Sequence, residues 1–513
     1  HVGHCYTTLV ADVAARFQRF AGRDVFFLTG TDEHAEKVVE SAERHGMTPL
    51  EWADRNAAEF QAAFAALNFS NDDFIRTTEK RHTEKVVEFI RRLKESGDIE
   101  LGDYEGWWDV SQEEYVTETT AREHEYKSPV TGRALERRKQ RNYFFKLSKY
   151  QERLAAHIEA HPDSIRPESR RNEVLGRIRA GLQDVPVSRA VDASDTRSQW
   201  GILMPDDPEH RVYVWIDALF NYMTAVETDA RRKYWPAAVH VMAKDILWFH
   251  AVIWPCMLMA LGEKLPGCVY AHSYWIREGR KMSKSLGNFL DLPTIEAYCA
   301  RYGRDAFRWF LATQGPMGAT DADFAHAKFV EVYNADLANG IGNAASRVAN
   351  MIAKYFDGKC PDAKGVTAHA DHDWPAIAGA AVESAMKKVE AMDLPGALQD
   401  AVRLAARVDG YIHATEPFKL AKDPAKMDEV GVILYHSAEA LRIASCLMWP
   451  AMPEQMEELW RRFSCEMRPG EDALAEVCRW GGLKAGDSIV KGDALFMRAD
   501  PKEAAPAPAG AEA

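Results

Sequence analysis

Strand-length apolar runs alternate with helical periods over the first 290 or so residues, and then stop. DVFFLT at 24–29, RVYVWI at 211–216 and AAVHVM at 237–242 are short, apolar and bounded by turns. Helical periods occupy 5–22, 35–46, 50–67, 79–96, 146–161, 169–182 and 245–261. Such alternation calls for a doubly wound parallel sheet with helices on both faces. Beyond about residue 291 only the helical period persists, at 325–356, 374–393, 395–413 and 427–448, the pattern of an all-α bundle. The stretch 98–145 fits neither regime. Its short aromatic segments among charged turns read as an insertion with β-structure of its own.

Composition narrows the class. A chain of 513 residues holds two or three domains, and 47% hydrophobic with 27% charged residues is ordinary for a globular enzyme. No run is expected to approach the roughly 18 apolar residues of a membrane span, so no membrane partner is expected. A net charge of −13 argues against coating nucleic acid by bulk attraction. Local basic surfaces remain at 133–141, where Arg137, Arg138 and Lys139 are consecutive, and at 166–179, with five arginines. Each reads first as a solvated face. None of the eight cysteines forms a CxxC pair, which gives no zinc knuckle and no disulfide framework. A reducing compartment, the cytoplasm, is the default. The chain opens at His1, inside a motif, so a preceding segment with any targeting peptide is expected outside this sequence.

That motif is His1-Val2-Gly3-His4, entering a helix. A loop between strand and helix in a doubly wound sheet faces the ligand crevice. There the helix N-terminus attracts anions and two imidazoles can donate to a phosphate gaining charge. Gly3 lets a flat base approach the backbone. Alone, the tetrapeptide equally fits a surface turn. The second motif is Lys281-Met282-Ser283-Lys284-Ser285, then Leu-Gly-Asn. Lysines and small hydroxyls on a loop before a helix can hold a triphosphate or a leaving pyrophosphate, or form a solvated loop.

The two motifs together, in this order, resemble the class I aminoacyl-tRNA synthetases. Three further segments resemble the methionyl-tRNA synthetases in particular: Thr29-Gly30-Thr31-Asp32-Glu33-His34, Val212-Tyr-Val-Trp215-Ile-Asp217-Ala218 with Tyr222 beyond it, and Lys244-Asp245-Ile246-Leu-Trp-Phe249-His250. The segment Gly181 to Arg189 (GLQDVPVSR) matches where the insertion rejoins the sheet. The resemblance implies ATP and Mg²⁺ as cofactors, and methionine and tRNA(Met) as partners. It implies catalytic roles for His1, His4, Lys281 and Lys284, with ATP bound by these together with Gly3, Asp245, Met282, Ser283 and Ser285. Asp32 would take the α-ammonium of methionine. Trp215, Ala218, Tyr222, Ile246 and His250 would wall the thioether, which suits soft aromatic surroundings. For Trp215 and Ile246 the competing reading is plain core packing. No protein nucleophile is required, and none is seen: the methionine carboxylate attacks the α-phosphorus itself.

In the helical half, Asn339, Asn343 and Arg347 fall at i, i+4 and i+8 and should share one helix face able to read unstacked bases. Phe418 after Pro417 offers a stacking platform. By resemblance these form the anticodon-binding surface, where the aromatic is commonly tryptophan. The implied organisation is a Rossmann-like catalytic domain in two halves, 1–97 and 181–290, split by a connective domain at 98–180. A linking segment at 291–330, an anticodon-binding bundle at 331–480 and an extension at 481–513 complete the chain, its low-complexity tail from Pro501 expected to be disordered. Ala35 and Ala243 stand where the family often has glycine. With no cysteine in 98–180, a zinc-free insertion is expected, and a monomer. A class I synthetase for another amino acid and a non-catalytic tRNA-binding paralogue are the competing readings.

Overall fold

The computed structural model describes residues 1–112, 114–283 and 285–510, and the chain divides into two compact units. The α/β unit comprises Leu28–Ala62 and Asn71–His272; the helical unit comprises His1–Phe27, Ala63–Ser70 and Ser273–Ala513.

In the α/β unit the strands are parallel and short. Leu28–Thr31 pairs with Asp73–Arg76, and His240–Ala243 pairs with Val269–His272, which also pairs with Ile165–Arg166. Helix Lys80–Glu95 buries Val86, Phe89, Ile90 and Leu93, an i, i+3, i+4, i+7 stripe, in a core shared with Phe145, Ile178, Phe220 and Trp254. The aromatic stretch after residue 98 forms an antiparallel sheet. Ile99–Asp109 pairs with Glu114–Val116 and Glu136–Phe145, and the latter reaches Val185–Pro186. The basic run of 133–141 lies largely on this sheet, with Arg137 paired to Glu105 and Arg141 to Asp103.

Two expectations change here. Of residues 24–29 only the end is strand, since pairing runs over Leu28–Thr31. The run 211–216 is not one strand: strand Asp207–Val212 ends there and helix Val214–Leu219 begins. β-branched and aromatic composition favours a strand, but Trp215, Ala218 and Tyr222 at i, i+3 and i+7 form a helical stripe, and packing decides.

Gly30 is opposite Ile75 in the first strand pair. A Cβ on Gly30 would lie 2.0 Å from the Ile75 carbonyl oxygen, so the strands cannot keep their spacing around any side chain. Gly30→Ala is expected to cost about 3 kcal/mol or more, the upper range of overpacking, measured as a lowered urea midpoint at unchanged slope.

Three helices of the helical unit begin with the same device, an aspartate followed by an apolar residue and proline. Asp291 accepts from the Thr294 amide, Asp373 from Ala376 and Asp393 from Gly396. The side chain satisfies an orphan N–H while proline fills a position with none to offer. Helix Met427–Met448 has the length and mean hydropathy of a membrane span although charged residues interrupt its apolar run. Every residue from Val430 to Met448 is nevertheless buried among its neighbours, with Glu439 and Arg442 paired inside, so this is a core helix.

The expected helix over 325–356 is broken. His326–Val332 runs into a π-helical segment, Tyr333–Ile341, with Gly340 at φ −92 and ψ −116, before Gly342–Phe356. The start of the C-terminal tail, expected to be disordered from Pro501, is anchored at Glu503. Glu503 accepts from Arg301 Nη2 at 2.5 Å and Tyr302 Oη at 2.9 Å, and its carbonyl meets His326. A composition poor in apolar residues hides such polar anchors.

Candidate active site

In the helical unit, His1 caps helix Val2–Phe20: its Nδ1 accepts from the Gly3 amide at 3.1 Å. The His1 ring lies 4.3 Å from that of His4 and stacks on Phe289 at 4.9 Å. The Val2 amide donates to the Leu290 carbonyl at 2.8 Å. The first motif therefore adjoins the residues just beyond the second. Gly3 has an intramolecular reason besides ligand approach, because a Cβ there would lie 2.9 Å from His1 Cε1. One edge of His4 is exposed. The protein crowding the rest of its ring lowers its pKa, so the imidazole is a neutral donor at pH 7.

Lys281 ends the short strand Arg280–Lys281, paired with Trp275–Arg277, and leads into an exposed loop. Asn288 closes that loop from both sides. Its Oδ1 accepts from the Ser283 amide at 2.9 Å and its Nδ2 donates to the Lys281 carbonyl at 3.2 Å. Ser283 and Ser285 hydroxyls are 3.1 Å apart, and Met282 is half-buried. Lys284 lies outside the described residues.

In the α/β unit, Asp32 follows the strand Leu28–Thr31, while Lys244 and Asp245 follow His240–Ala243. Both sets thus sit at carboxyl ends of parallel strands, where such sheets bind ligands. Trp215 stacks on Phe249 at 4.5 Å between ring centroids. Tyr222 Oη is 2.7 Å from His250 Nε2, and His250 Nδ1 is 2.9 Å from the Ile246 carbonyl. A carbonyl only accepts, so Nδ1 carries the proton, Nε2 accepts, and Tyr222 donates. Burial lowers His250 to about 4, which keeps it neutral. The polar tips of Tyr222 and His250 thereby satisfy each other. Ala218 and Ile246 are half-buried beside them and Asp245 is exposed.

Beneath Asp32 lies a charged relay. Asp217 is fully buried; His34 Nδ1 meets its Oδ2 at 2.7 Å and His82 Nε2 meets its Oδ1 at 2.9 Å. Burial opposes ionisation of Asp217, but the two imidazoles outweigh it and hold the carboxyl below its usual range. Burial likewise opposes the charge on His34, and the bond to Asp217 overcomes it, raising His34. Asp32 is exposed and lines the cleft, while its carboxyl packs close against neighbouring protein groups. That desolvation, then the Asp217 charge, pushes its carboxyl up to about 7. Glu33 is locked beside it by Arg76, whose Nε donates at 3.0 and 2.9 Å, and by Thr78 at 2.6 Å.

Asp32 and Trp215 line one cleft of about 760 Å³. Its other wall carries Lys139, Arg141, Arg189 and Arg211 from the inserted sheet and the segment after it. Arg189 Nη1 and Arg211 Nε are buried without a hydrogen-bond partner. Among the described residues no group of three or more His, Cys, Asp or Glu side chains is placed to hold a metal ion.

The polar face of the bundle differs from expectation. Asn339 and Asn343 are exposed, but Gly340 and the π-helical segment lie between them, so a spacing of four does not stack them on one regular face. Arg347 is half-buried and donates to Asp409 at 3.0 Å, and Phe418 is 41% exposed at the start of Pro417–Leu420.

Comparison with known proteins places this geometry. The profile of the family described as "tRNA synthetases class I (M)" matches residues 1–124 and 122–349. The "Methionine--tRNA ligase" of Bacillus subtilis (strain 168) is 41% identical over 518 residues, covering 98% of this chain and 76% of that one. The protein of the same name from Streptomyces coelicolor is 41% identical over 525 residues, covering 98% and 95%. A solved structure, Mycobacterium tuberculosis methionyl-tRNA synthetase in complex with methionyl-adenylate, matches with TM-score 0.87 and 36% identity over 97% of each chain. The chain belongs to the class I methionine–tRNA ligase family.

Within this methionine–tRNA ligase fold, several residues that shape the site escape a motif-by-motif reading. His34 and Asp217 stand inside the quoted segments, but only contact across 183 residues makes them a pair. His82 and Trp200 belong to no motif. His82 bridges Asp217 to Thr224, and Trp200 Nε1 donates to the Glu33 carbonyl at 2.7 Å. Asn288 had a local signal, a loop amide seven residues past Lys281, whose bracing role needs the closed loop to be seen.

Proposed function

We propose that this methionine–tRNA ligase family member activates methionine with ATP and transfers it to tRNA(Met), using the motif residues of the helical unit and the pocket residues of the α/β unit. The carrying observation is the Tyr222 hydroxyl held by neutral His250, whose neighbour Phe249 stacks on Trp215, with Asp32 and Trp215 lining one cleft. A methionine ammonium pairs with Asp32, and its thioether, a weak acceptor, packs against Trp215 and Tyr222 without asking for a donor. A side chain with a hydroxyl or ammonium must compete for the Tyr222–His250 bond or bury its polar group against aromatic walls.

The methionine carboxylate then attacks the α-phosphorus, the bond to the bridging oxygen breaks, and pyrophosphate leaves. His1 and His4 suit the phosphate as it gains charge, and Lys281, Ser283 and Ser285 suit the departing pyrophosphate, with Lys284 assigned there by its place in the motif. Asp245 is suited to the nucleoside. The described residues do not fit a protein-held metal, so Mg²⁺ belongs with the triphosphate and no step is derived through it. In the second step a hydroxyl of the terminal adenosine attacks the methionyl carbonyl and AMP leaves. The cationic side chains of Lys139, Arg141, Arg189 and Arg211 lining the cleft suit the acceptor end of the tRNA. Asn339, Asn343, Arg347 and Phe418 are assigned to the anticodon. The kink brings the first two from different helical segments, and Arg347 must exchange Asp409 for a base.

Tyr222→Phe leaves His250 Nε2 without its donor. That stranding costs about 1–3 kcal/mol, so the methionine KM is expected to rise at least about fivefold with the ATP KM unchanged, in steady-state assays. The assignment as a whole is tested by charging: tRNA(Met) should accept methionine, and the same tRNA with a substituted anticodon should be charged far more slowly. Equal charging of both would remove the anticodon role, and no charging of either would remove the second step.

A further inference from the structure

Arg177 sits where the reaction gives it no task, in the last turn of helix Glu168–Arg179. Its guanidinium carbon lies 3.7 Å from the centroid of Trp248, closer than the 4.9 and 5.5 Å approaches of Arg138 and Arg137 to tryptophans of the inserted sheet. Its Nη2 donates at 2.7 Å to Glu114 on the short strand Glu114–Val116. One side chain therefore joins the inserted sheet to the residue preceding Phe249.

That position matters because Trp248 leads directly into the amino-acid pocket. Its neighbour Phe249 stacks on Trp215 and opens the π-helical turn Phe249–Ile253, which also carries His250. A π turn holds one residue more than an α turn and depends on its side-chain contacts for register. Slack is available beside it: a void of about 30 Å³ is lined by Arg177, Glu114, Trp248 and Phe249, room for about one water molecule.

We infer that Arg177 is a positioning residue for the amino-acid pocket: anchored by Glu114, it clamps Trp248 and so sets the Phe249–His250 turn against Trp215 and Tyr222. The inserted sheet thereby tunes methionine affinity without touching methionine. This rests on the reading of the pocket as the methionine site.

The test is ATP–pyrophosphate exchange by the wild type, Arg177→Ala, Arg177→Lys and Glu114→Gln. The cation–π contact and its anchor are worth enough for about a tenfold rise in methionine KM in Arg177→Ala, with kcat and the ATP KM within about twofold. Arg177→Lys should recover part of the affinity, because an ammonium keeps the pair with Glu114 but cannot lie flat on the indole. Glu114→Gln should shift the same way by less. Tryptophan emission of Arg177→Ala without substrate should also shift. A folded Arg177→Lys or Arg177→Ala protein with wild-type methionine KM overturns the inference, as does a fall in kcat at unchanged KM. Failure of the wild type to exchange with methionine would instead overturn the assignment of the pocket.

Discussion

Asp32→Asn is expected to lower kcat/KM for methionine by about 150-fold to about 5,000-fold, the effect of removing one partner of an ion pair at roughly 3–5 kcal/mol. The carboxylate is isosteric with the amide, so folding should be retained. The pH dependence gives a second, sharper signature. Crowding by protein, then the Asp217 charge, raises Asp32 to about 7 in the free enzyme. Only the ionised form attracts an ammonium. The charged form is lost as pH falls through about 7, rather than through about 4 as for an ordinary aspartate. Below that point kcat/KM for methionine should drop about tenfold per pH unit, and above it level off. In Asp32→Asn this limb should vanish. A wild-type profile that stays flat down to pH 5 would contradict the role given to Asp32.

Arg308→Met is expected to be the most destabilising change in the helical unit, at about 3–5 kcal/mol. Arg308 and Asp12 have wholly buried side chains, 2.7 Å apart. The guanidinium also donates to the carbonyls of Leu67, Pro450 and Ala451 at 2.9 Å each. Burial pulls the arginine pKa down, but from so high a starting value that the group stays charged at pH 7. Burial opposes ionisation of Asp12 as well, yet Arg308 and Arg16 outweigh it and hold the carboxyl below its normal range. Methionine fills similar volume, leaves three carbonyls without their donor, and leaves Asp12 with Arg16 and Ser70 only. Urea unfolding should show the loss directly. Arg304→Ala is the control, since its pair with Glu454 is well exposed and should be worth less than about 1 kcal/mol. Similar losses in both variants would mean that the buried cluster is not special.

The periodic parts of this fold were legible in the residues. The apolar stripe of Lys80–Glu95 and the aspartate–proline starts of three helices announce themselves locally. What was not legible depends on contacts distant in sequence. Residues 214–216 have strand composition, and only the need to point Trp215, Ala218 and Tyr222 one way makes them helical. The π segment at Tyr333–Ile341 breaks a spacing of four that looked like a single face. Glu503 sits in a tail of disordered composition and is held by Arg301 and Tyr302, some 200 residues earlier. At the site, the motif residues were visible one by one. The relay His34–Asp217–His82, which sets the charge beside Asp32, is visible only when three segments meet.

The central claim is that this pocket selects methionine for adenylation. ATP–pyrophosphate exchange by the full-length protein with each of the twenty amino acids tests it most directly. Exchange driven by methionine, with the other amino acids lower by orders of magnitude, is the predicted result. Exchange driven instead by an amino acid with a polar side chain would contradict the apolar, aromatic reading of the pocket, and no exchange by the folded protein would contradict the activity itself.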